Sequence, residues 1–371
     1  MYVYDLDTAW DDHPFDWNCF MLEDAETLNL ILASTKKEIS IDTDLGEDDL
    51  KHSVSQAFIA KRSPREEFEQ AKELYANASK LMQNMMRDIR LGKQVELEQC
   101  NPIVDGIVDS MFNSPNALLP LAQMKTRDEY TFQHSVSVSA LAVAFGRVLG
   151  MPQEEIKEFA LGGFLHDVGK AEVPGYILNK PGKLDDAEFV IMKGHASSTA
   201  KLLKNVKGIS EIAFNAACQH HERYDGAGYP RKLKGDEISL LGQALAIIDV
   251  YDAITSIRIY HKGMPPTEAL KKLFEWGSGG HFNPELVQAF IKGIGIYPAG
   301  SLVRLSSEKL GIVREVLPDK LLQPVVQIIY DCQKMCSITP ERVELSVSGD
   351  KIITHESFEK WGISQASWYA I

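Results

Sequence analysis

The chain has 371 residues, of which 44% are hydrophobic and 25% charged, and its formal net charge is −13. That balance is the one of a soluble globular protein with room for two or three domains, and no run of about eighteen apolar residues marks a membrane span. So acidic a surface argues against long nucleic acid, whose binding rests on neutralising many phosphates, yet leaves a small anionic ligand open, since metal ions and a few lysines reverse the potential locally.

The start, Met1-Tyr2-Val3-Tyr4-Asp5, lacks the basic flank and apolar core of a signal peptide. Cys19, Cys100, Cys218, Cys332 and Cys336 are an odd set in a large chain, which argues for free thiols rather than a disulfide framework. Both observations lead to the expectation of a cytoplasmic protein.

Residues 1–62 read as a small β-rich module and its linker. Tyr2-Val3-Tyr4 and Ile39-Ser40-Ile41 have strand character, Thr27 to Leu32 suits a short helix, and residues 49–62 are polar. Ser63-Pro64-Arg65-Glu66 is a helix start with a capping box, opening a long amphipathic connecting helix within residues 63–100. Phe68, Ala71, Leu74, Ala78, Leu81, Met82, Met85 and Ile89 recur there at helical spacing. Packing of this stripe on its own domain is the simpler expectation, and a homodimer seam the other.

Residues 101–296 read as helix after helix. Asp128 opens one through His134, Val138, Leu141 and Phe145, and Glu154 to Lys170 makes another. Asp185 with Glu188 caps a third that carries Phe189, Met192, His195 and Leu202. Ser210 caps the helix leading to His220 and His221, and Ile238 to Ser256 carries Asp249 and Asp252. After Tyr297-Pro298-Ala299-Gly300 the period changes, and the segments at 302–305, 311–314 and 325–330 read as strands of a small β-module over 297–371. The expected fold is therefore mainly α: an all-helical core flanked by small β-rich modules at both ends.

The chemistry lies in the helical core. Five of the ten histidines, His134, His166, His195, His220 and His221, fall between residues 134 and 221, and Asp167 and Asp249 accompany them. Ordinary core or surface histidines do not account for that order, whereas His13, His52, His281 and His355 carry no such signal. Imidazole and carboxylate together suit iron, manganese or zinc. Seven such donors suffice for two ions if one carboxylate bridges them, with positions left open for water. Adjacent residues on a helix diverge by about 100°, so the pairs His166-Asp167 and His220-His221 work only where helices converge, for instance at helix ends. Two ions roughly 3.5–4 Å apart suit phosphate-ester hydrolysis through a bridging hydroxide, with Lys170 offsetting phosphate charge.

The residues His166-Asp167 with Gly169-Lys170, then His195, then His220-His221-Glu222 and Asp225-Gly226-Ala227-Gly228-Tyr229-Pro230, resemble the HD-GYP family over about residues 120–296. That family is a subgroup of the HD metal-dependent phosphohydrolases. Residues 1–48, with Leu6-Asp7 and His13-Pro14-Phe15, resemble an uncharacterised domain that often precedes HD-GYP domains, without the further strand it usually has before Met1-Tyr2-Val3.

The resemblance implies hydrolysis of a cyclic dinucleotide, chiefly cyclic di-GMP and in some members 3′,3′-cyclic GMP-AMP, to the linear form and sometimes on to mononucleotides. It implies one divalent ion on His134, His166, Asp167 and Asp249, and a second on His195, His220 and His221, with Asp167 bridging. Iron or manganese is the family expectation, with nickel, cobalt or zinc compatible. Lys170 matches the phosphate-contacting lysine, Arg258 an arginine that holds the nucleotide, and Gly228-Tyr229-Pro230 a loop near the substrate. Two departures stand out. Tyr130 occupies the position of a glutamate that helps hold a third ion, which favours two ions and leaves the second hydrolytic step in doubt. His261 stands where many members have a substrate-binding lysine.

The Gly-Tyr-Pro turn has two readings: a tight support for the histidines behind it, and a surface for a ligand or partner, for which the resemblance implies diguanylate cyclase domains. Retention of all seven ligand residues favours an enzyme over a non-hydrolytic cyclic-dinucleotide sensor. The Gly-Tyr-Pro segment argues against a broader nucleotidase.

Overall fold

A computed structural model describes residues 2–5, 20–21, 40–42, 64–123, 130–256, 263–317 and 320–364. The chain divides into two compact units, Met1–Arg62 and Ser63–Ile371. In the first, β1 (Tyr2–Asp5) lies between β2 (Phe20–Met21) and β3 (Ser40–Asp42) in an antiparallel sheet. Strands thus form at both expected places. The helix expected over Thr27 to Leu32, the linker at 49–62 and the Ser63 cap lie outside the described residues.

In the second unit, α1 (Pro64–Arg90) buries Phe68, Ala71, Tyr75, Ala78, Met82, Met85, Met86 and Ile89 along one stripe. Its partners are α2 (Leu97–Asn113), α3 (Pro115–Gln123) and α4 (Tyr130–Val148) of the same unit. The amphipathic stripe is therefore spent inside the chain's own core. The Tyr75 hydroxyl reaches the Gln133 carbonyl at 3.1 Å and fixes α1 against the helix that carries His134.

Helix α4 is enclosed on nearly every face between Gln133 and Phe145 and forms the axis of the unit. Against it pack α5 (Gln153–Leu165) and α9 (Leu240–Thr255). The expected helix from Glu154 to Lys170 stops early. His166 caps α5, and Val168–Glu172 turns as a 3-10 segment closed by the Lys170 N–H donating to the Asp167 carbonyl at 2.9 Å. The short α6 (Gly175–Leu178) leads to α7 (Asp186–Lys204), which has the full Asp185–Glu188 capping box. Ser210 caps α8 (Glu211–Gln219) by accepting from the Ala213 N–H, and Ser239 caps α9, so that helix begins at Leu240 rather than Ile238. Pro266–Ser278 (α10) and Pro284–Ile294 (α11) complete the helical body, with Asn283 capping the latter.

The C-terminal segment is one five-stranded antiparallel sheet in the order β7-β6-β5-β4-β8. Its strands are β4 (Leu302–Leu305), β5 (Lys309–Glu315), β6 (Val325–Asp331), β7 (Cys336–Glu344) and β8 (Ile352–Glu356). The expected strands correspond to β4, β5 and β6, and the last two are additional. One face buries Val303, Leu305, Val313, Val326 and Ile328 in a core of its own, while Leu302, Leu310, Ile312 and Ile329 join the helical core. Cys100, Cys218, Cys332 and Cys336 are free thiols.

Candidate metal centre

Five elements bring His134, His166, Asp167, His195, His220, His221 and Asp249 to one place. Helix α4 supplies His134, α7 supplies His195 and α9 supplies Asp249. The two adjacent pairs sit at helix C-termini: His166 caps α5, and His220 caps α8. There the chain leaves the α-helical path, with Asp167 at φ −102 and ψ 7, so neighbouring side chains can converge.

The two oxygens of Asp167 face different histidines. Its Oδ2 lies 3.3 Å from His166 Nε2 and 3.7 Å from His134 Nε2, while its Oδ1 lies 3.4 Å from His195 Nε2. Asp249 Oδ1 is 2.9 Å from His134 Nε2 and 3.7 Å from His166 Nε2, and its Oδ2 is 3.8 Å from His221 Nδ1. His195 and His221 approach at 3.1 Å between their Nε2 atoms. Donor atoms of His134, His166 and Asp167 lie within 4.8 Å of one another, as do those of His195, His220 and His221. These are two adjoining clusters with Asp167 between them.

The outer ring nitrogens are already committed. Nδ1 of His166 donates to the Gly163 carbonyl at 2.7 Å, that of His195 to Met192 at 2.6 Å, and that of His220 to Ala217 at 2.7 Å. A carbonyl only accepts, so each Nδ1 carries a proton, and in the neutral ring each Nε2 presents a lone pair inward. His134 Nδ1 lies 2.5 Å from Asp252 Oδ2. His166 Nε2, His220 Nε2 and Asp167 Oδ1 are buried without a hydrogen-bond partner. Such atoms are costly to bury unless something binds them, and a metal ion answers that need for all three. The donor set therefore fits a pair of divalent ions.

The electrostatics agree. Burial, with His221 nearby, drives the His220 pKa well below its usual range, and burial likewise lowers His195 and takes His221 down to about 3. These three rings stay neutral and able to ligate. Burial also opposes charge on His166, but Asp167 and Asp249 outweigh it and the net shift is upward. Burial opposes ionisation of Asp167 and Asp249, yet His166 and Lys170 hold the first, and His134 the second, well below the normal carboxylate value.

Lys170 places its Nζ 2.5 Å from Asp167 Oδ2. The side chains of Lys170 and His221 are 21% and 22% exposed, against 8% or less for Asp167 and Asp249, so the centre opens on their side. Above it sits the Gly-Tyr-Pro turn. Tyr229 lays its ring on that of His221, centroids 4.7 Å apart, and its N–H donates to the His221 carbonyl. Gly228 packs so closely that a Cβ there would stand 2.3 Å from the Arg223 nitrogen. The structure thus gives the turn a supporting role.

Three residues near the centre were given no role in the sequence reading. Asp252 orients His134. Glu222, buried at the start of the turn, accepts from the Arg231 and Leu233 N–H groups at 2.7 and 3.0 Å and closes the loop. Thr199 donates to the His166 carbonyl at 3.0 Å and accepts from the Gly169 N–H at 3.1 Å, bolting α7 to the turn after α5. Asp252 had a sequence signal as a second carboxylate one turn beyond Asp249, and Glu222 stands in the His220-His221-Glu222 motif, whereas Thr199 had none. Arg258, His261 and the Tyr130 side chain lie outside the described residues.

The HD domain family matches residues 116–286, and a domain of unknown function (DUF3391) matches residues 1–100. A Pseudomonas aeruginosa protein named a cyclic di-GMP phosphodiesterase is 40% identical over 377 residues, covering 97% of this chain and 90% of that protein. The chain belongs to the HD-GYP family. A Thermotoga maritima protein named a cyclic di-GMP phosphodiesterase is 38% identical over 167 residues, 45% of each chain. A Vibrio cholerae protein named 3′3′-cGAMP-specific phosphodiesterase 1 is 34% identical over 176 residues, 47% of this chain and 41% of that one. The match therefore spans less than half the length of these last two. In this HD-GYP protein the N-terminal match runs on to residue 100 and takes in α1, well past the expected limit at residue 48.

Proposed function

We propose that this HD-GYP protein is a metal-dependent phosphodiesterase that opens a cyclic dinucleotide, cyclic di-GMP or 3′,3′-cyclic GMP-AMP, to the linear dinucleotide. The observation that carries the reading is Asp167, whose two oxygens face the two histidine clusters. His134, His166, Asp167 and Asp249 would hold one divalent ion, and His195, His220 and His221 the other, with Asp167 shared. When bound, such a pair activates water and stabilises the attacking and leaving oxygens of a phosphodiester. Iron or manganese is the favoured pair. Tyr130 in place of a carboxylate supports two ions rather than three, and so the linear dinucleotide as product.

The chain's own residues do the rest. The neutral His195, His220 and His221 and the ionised Asp167 and Asp249 keep the donor set ready at neutral pH. The Lys170 ammonium beside Asp167 offsets the charge of the scissile phosphate. The substrate enters from the side of Lys170, His221 and Tyr229, because the other ligands are enclosed. Arg258 and His261 belong to the nucleotide-holding part of this reading. The exposed Asp225 and Ala227 on the outside of the Gly-Tyr-Pro turn offer the surface for a diguanylate cyclase domain. No helix among the described residues is long and apolar enough to cross a membrane, which agrees with a cytoplasmic second-messenger enzyme.

The test is product chromatography on oxygen-free, metal-loaded protein given cyclic di-GMP, 3′,3′-cyclic GMP-AMP and simple nucleoside phosphates. Conversion of a cyclic dinucleotide to its linear form is the expected result. Binding with no linear product would instead make the protein a sensor, and preferential cleavage of nucleoside phosphates a nucleotidase.

A further inference from the structure

Lys193 lies on α7 two residues before His195. Its ammonium pairs with no carboxylate among the described residues. It lies instead 5.0 Å from the centre of the Phe189 ring and 5.8 Å from that of Tyr229. Phe189 precedes it by one helical turn, on the same face, and is 48% exposed. Tyr229 in turn lies against His221, its ring tilted, at the open side of the metal centre. A cation with no carboxylate partner among the described residues thus stands beside two aromatic rings where the centre meets solvent. Rings alone hold a lysine weakly at such a site, so the charge is left available for an anion that arrives with the substrate.

A cyclic dinucleotide carries two phosphates, and only one can be cleaved at a time. Lys170 is committed beside Asp167, where the scissile phosphate belongs. We infer that Lys193 is a further substrate-binding residue, taking the phosphate that is not being cleaved while Phe189 offers its face to a purine base. The inference rests on the cyclic-dinucleotide reading above. Stacking of bases on exposed aromatic rings beside a cation is a general way of holding short nucleotide chains.

The experiment compares Lys193→Met, which keeps the stem and removes the charge, with Lys193→Arg, which keeps the charge, and with Phe189→Ala. Each metal-loaded variant is assayed on whichever cyclic dinucleotide the wild type cleaves faster and on bis(p-nitrophenyl) phosphate, which has a single phosphate. Lys193→Met should raise KM for the cyclic dinucleotide about tenfold, a typical loss for one charge-assisted contact, with kcat little changed. The loss on the single-phosphate diester should be several-fold smaller. Phe189→Ala should raise the same KM, and Lys193→Arg should recover most of it. An unchanged KM in Lys193→Met overturns the inference. So does an equal loss on both substrates, which would make the lysine a brace for Tyr229. A wild type that cleaves the simple diester but no cyclic dinucleotide defeats the functional reading itself, and the inference with it.

Discussion

Asp252 Oδ2 lies 2.5 Å from Nδ1 of His134, while Asp249 Oδ1, from one turn earlier on α9, lies 2.9 Å from Nε2 of the same ring. The imidazole is clamped between two carboxylates with different duties. Asp252 holds the Nδ1 proton and the ring angle, which leaves Nε2 to face the centre with Asp249. Asp252→Asn keeps the shape and removes the strong acceptor. Metal affinity should fall about 10- to 100-fold, the usual cost of losing such a partner, and excess metal should restore turnover. Competition with a chelator measures this, and wild-type affinity in the variant would remove Asp252 from the site.

Asp167 stands between both histidine clusters and beside Lys170. Asp167→Ala should abolish metal loading and turnover together, because its two carboxylate oxygens face the two histidine clusters. Metal analysis and the phosphodiesterase assay on the same preparation check it. Full activity in the variant would defeat the assignment.

Gly169 is required by a close approach. A Cβ there would stand 2.1 Å from the His195 carbonyl oxygen and 2.5 Å from the Thr199 nitrogen, both backbone atoms of α7. Gly169→Ala must therefore push the Asp167–Lys170 turn away from His195. A loss of about 1–3 kcal/mol is typical of such overpacking, and weaker metal binding should accompany it. Gly175→Ala, where a Cβ meets nothing within 4 Å, is the control. Thermal unfolding of the two variants should separate them clearly, and equal melting temperatures would contradict the packing.

Acid should weaken the metal-free protein from about pH 6.5 downward. His195, His220 and His221 have folded pKa values below the unfolded value of about 6.5. Their contribution is present above that value and is lost as pH falls through it toward the folded values, about 3 for His221. His166, whose pKa is raised, acts in the opposite sense: its contribution is full below pH 6.5 and fades as pH rises. Three against one makes the balance acid-labile. Asp167 and Asp249 add their loss only below the usual carboxylate range. Melting temperature of the metal-free protein measured from pH 7 to 5 should fall. A flat or rising profile would contradict the buried neutral rings.

Much of this was legible where the signal is local. The Asp185–Glu188 capping box, the Ser210 cap and the stripe of α1 are short-range features, and each formed as read. The seven donor residues announced themselves as pairs and singles of the right chemistry, and the fold gathers all of them. What stayed hidden depends on distant partners. Helix α5 ends at Leu165 because the turn beyond it packs against α7, a contact 30 residues away for Gly169 and Thr199. Asp252 meets His134 across 118 residues. The edge strand β7 is largely exposed on both faces, so it shows none of the alternation that marks a half-buried strand.

An anomalous difference map from metal-loaded crystals tests the central claim most directly. Two peaks are expected, one among His134, His166 and Asp249 and one among His195, His220 and His221, with Asp167 contacting both. A single peak, or peaks that leave Asp167 untouched, would contradict the paired centre on which the proposed chemistry depends.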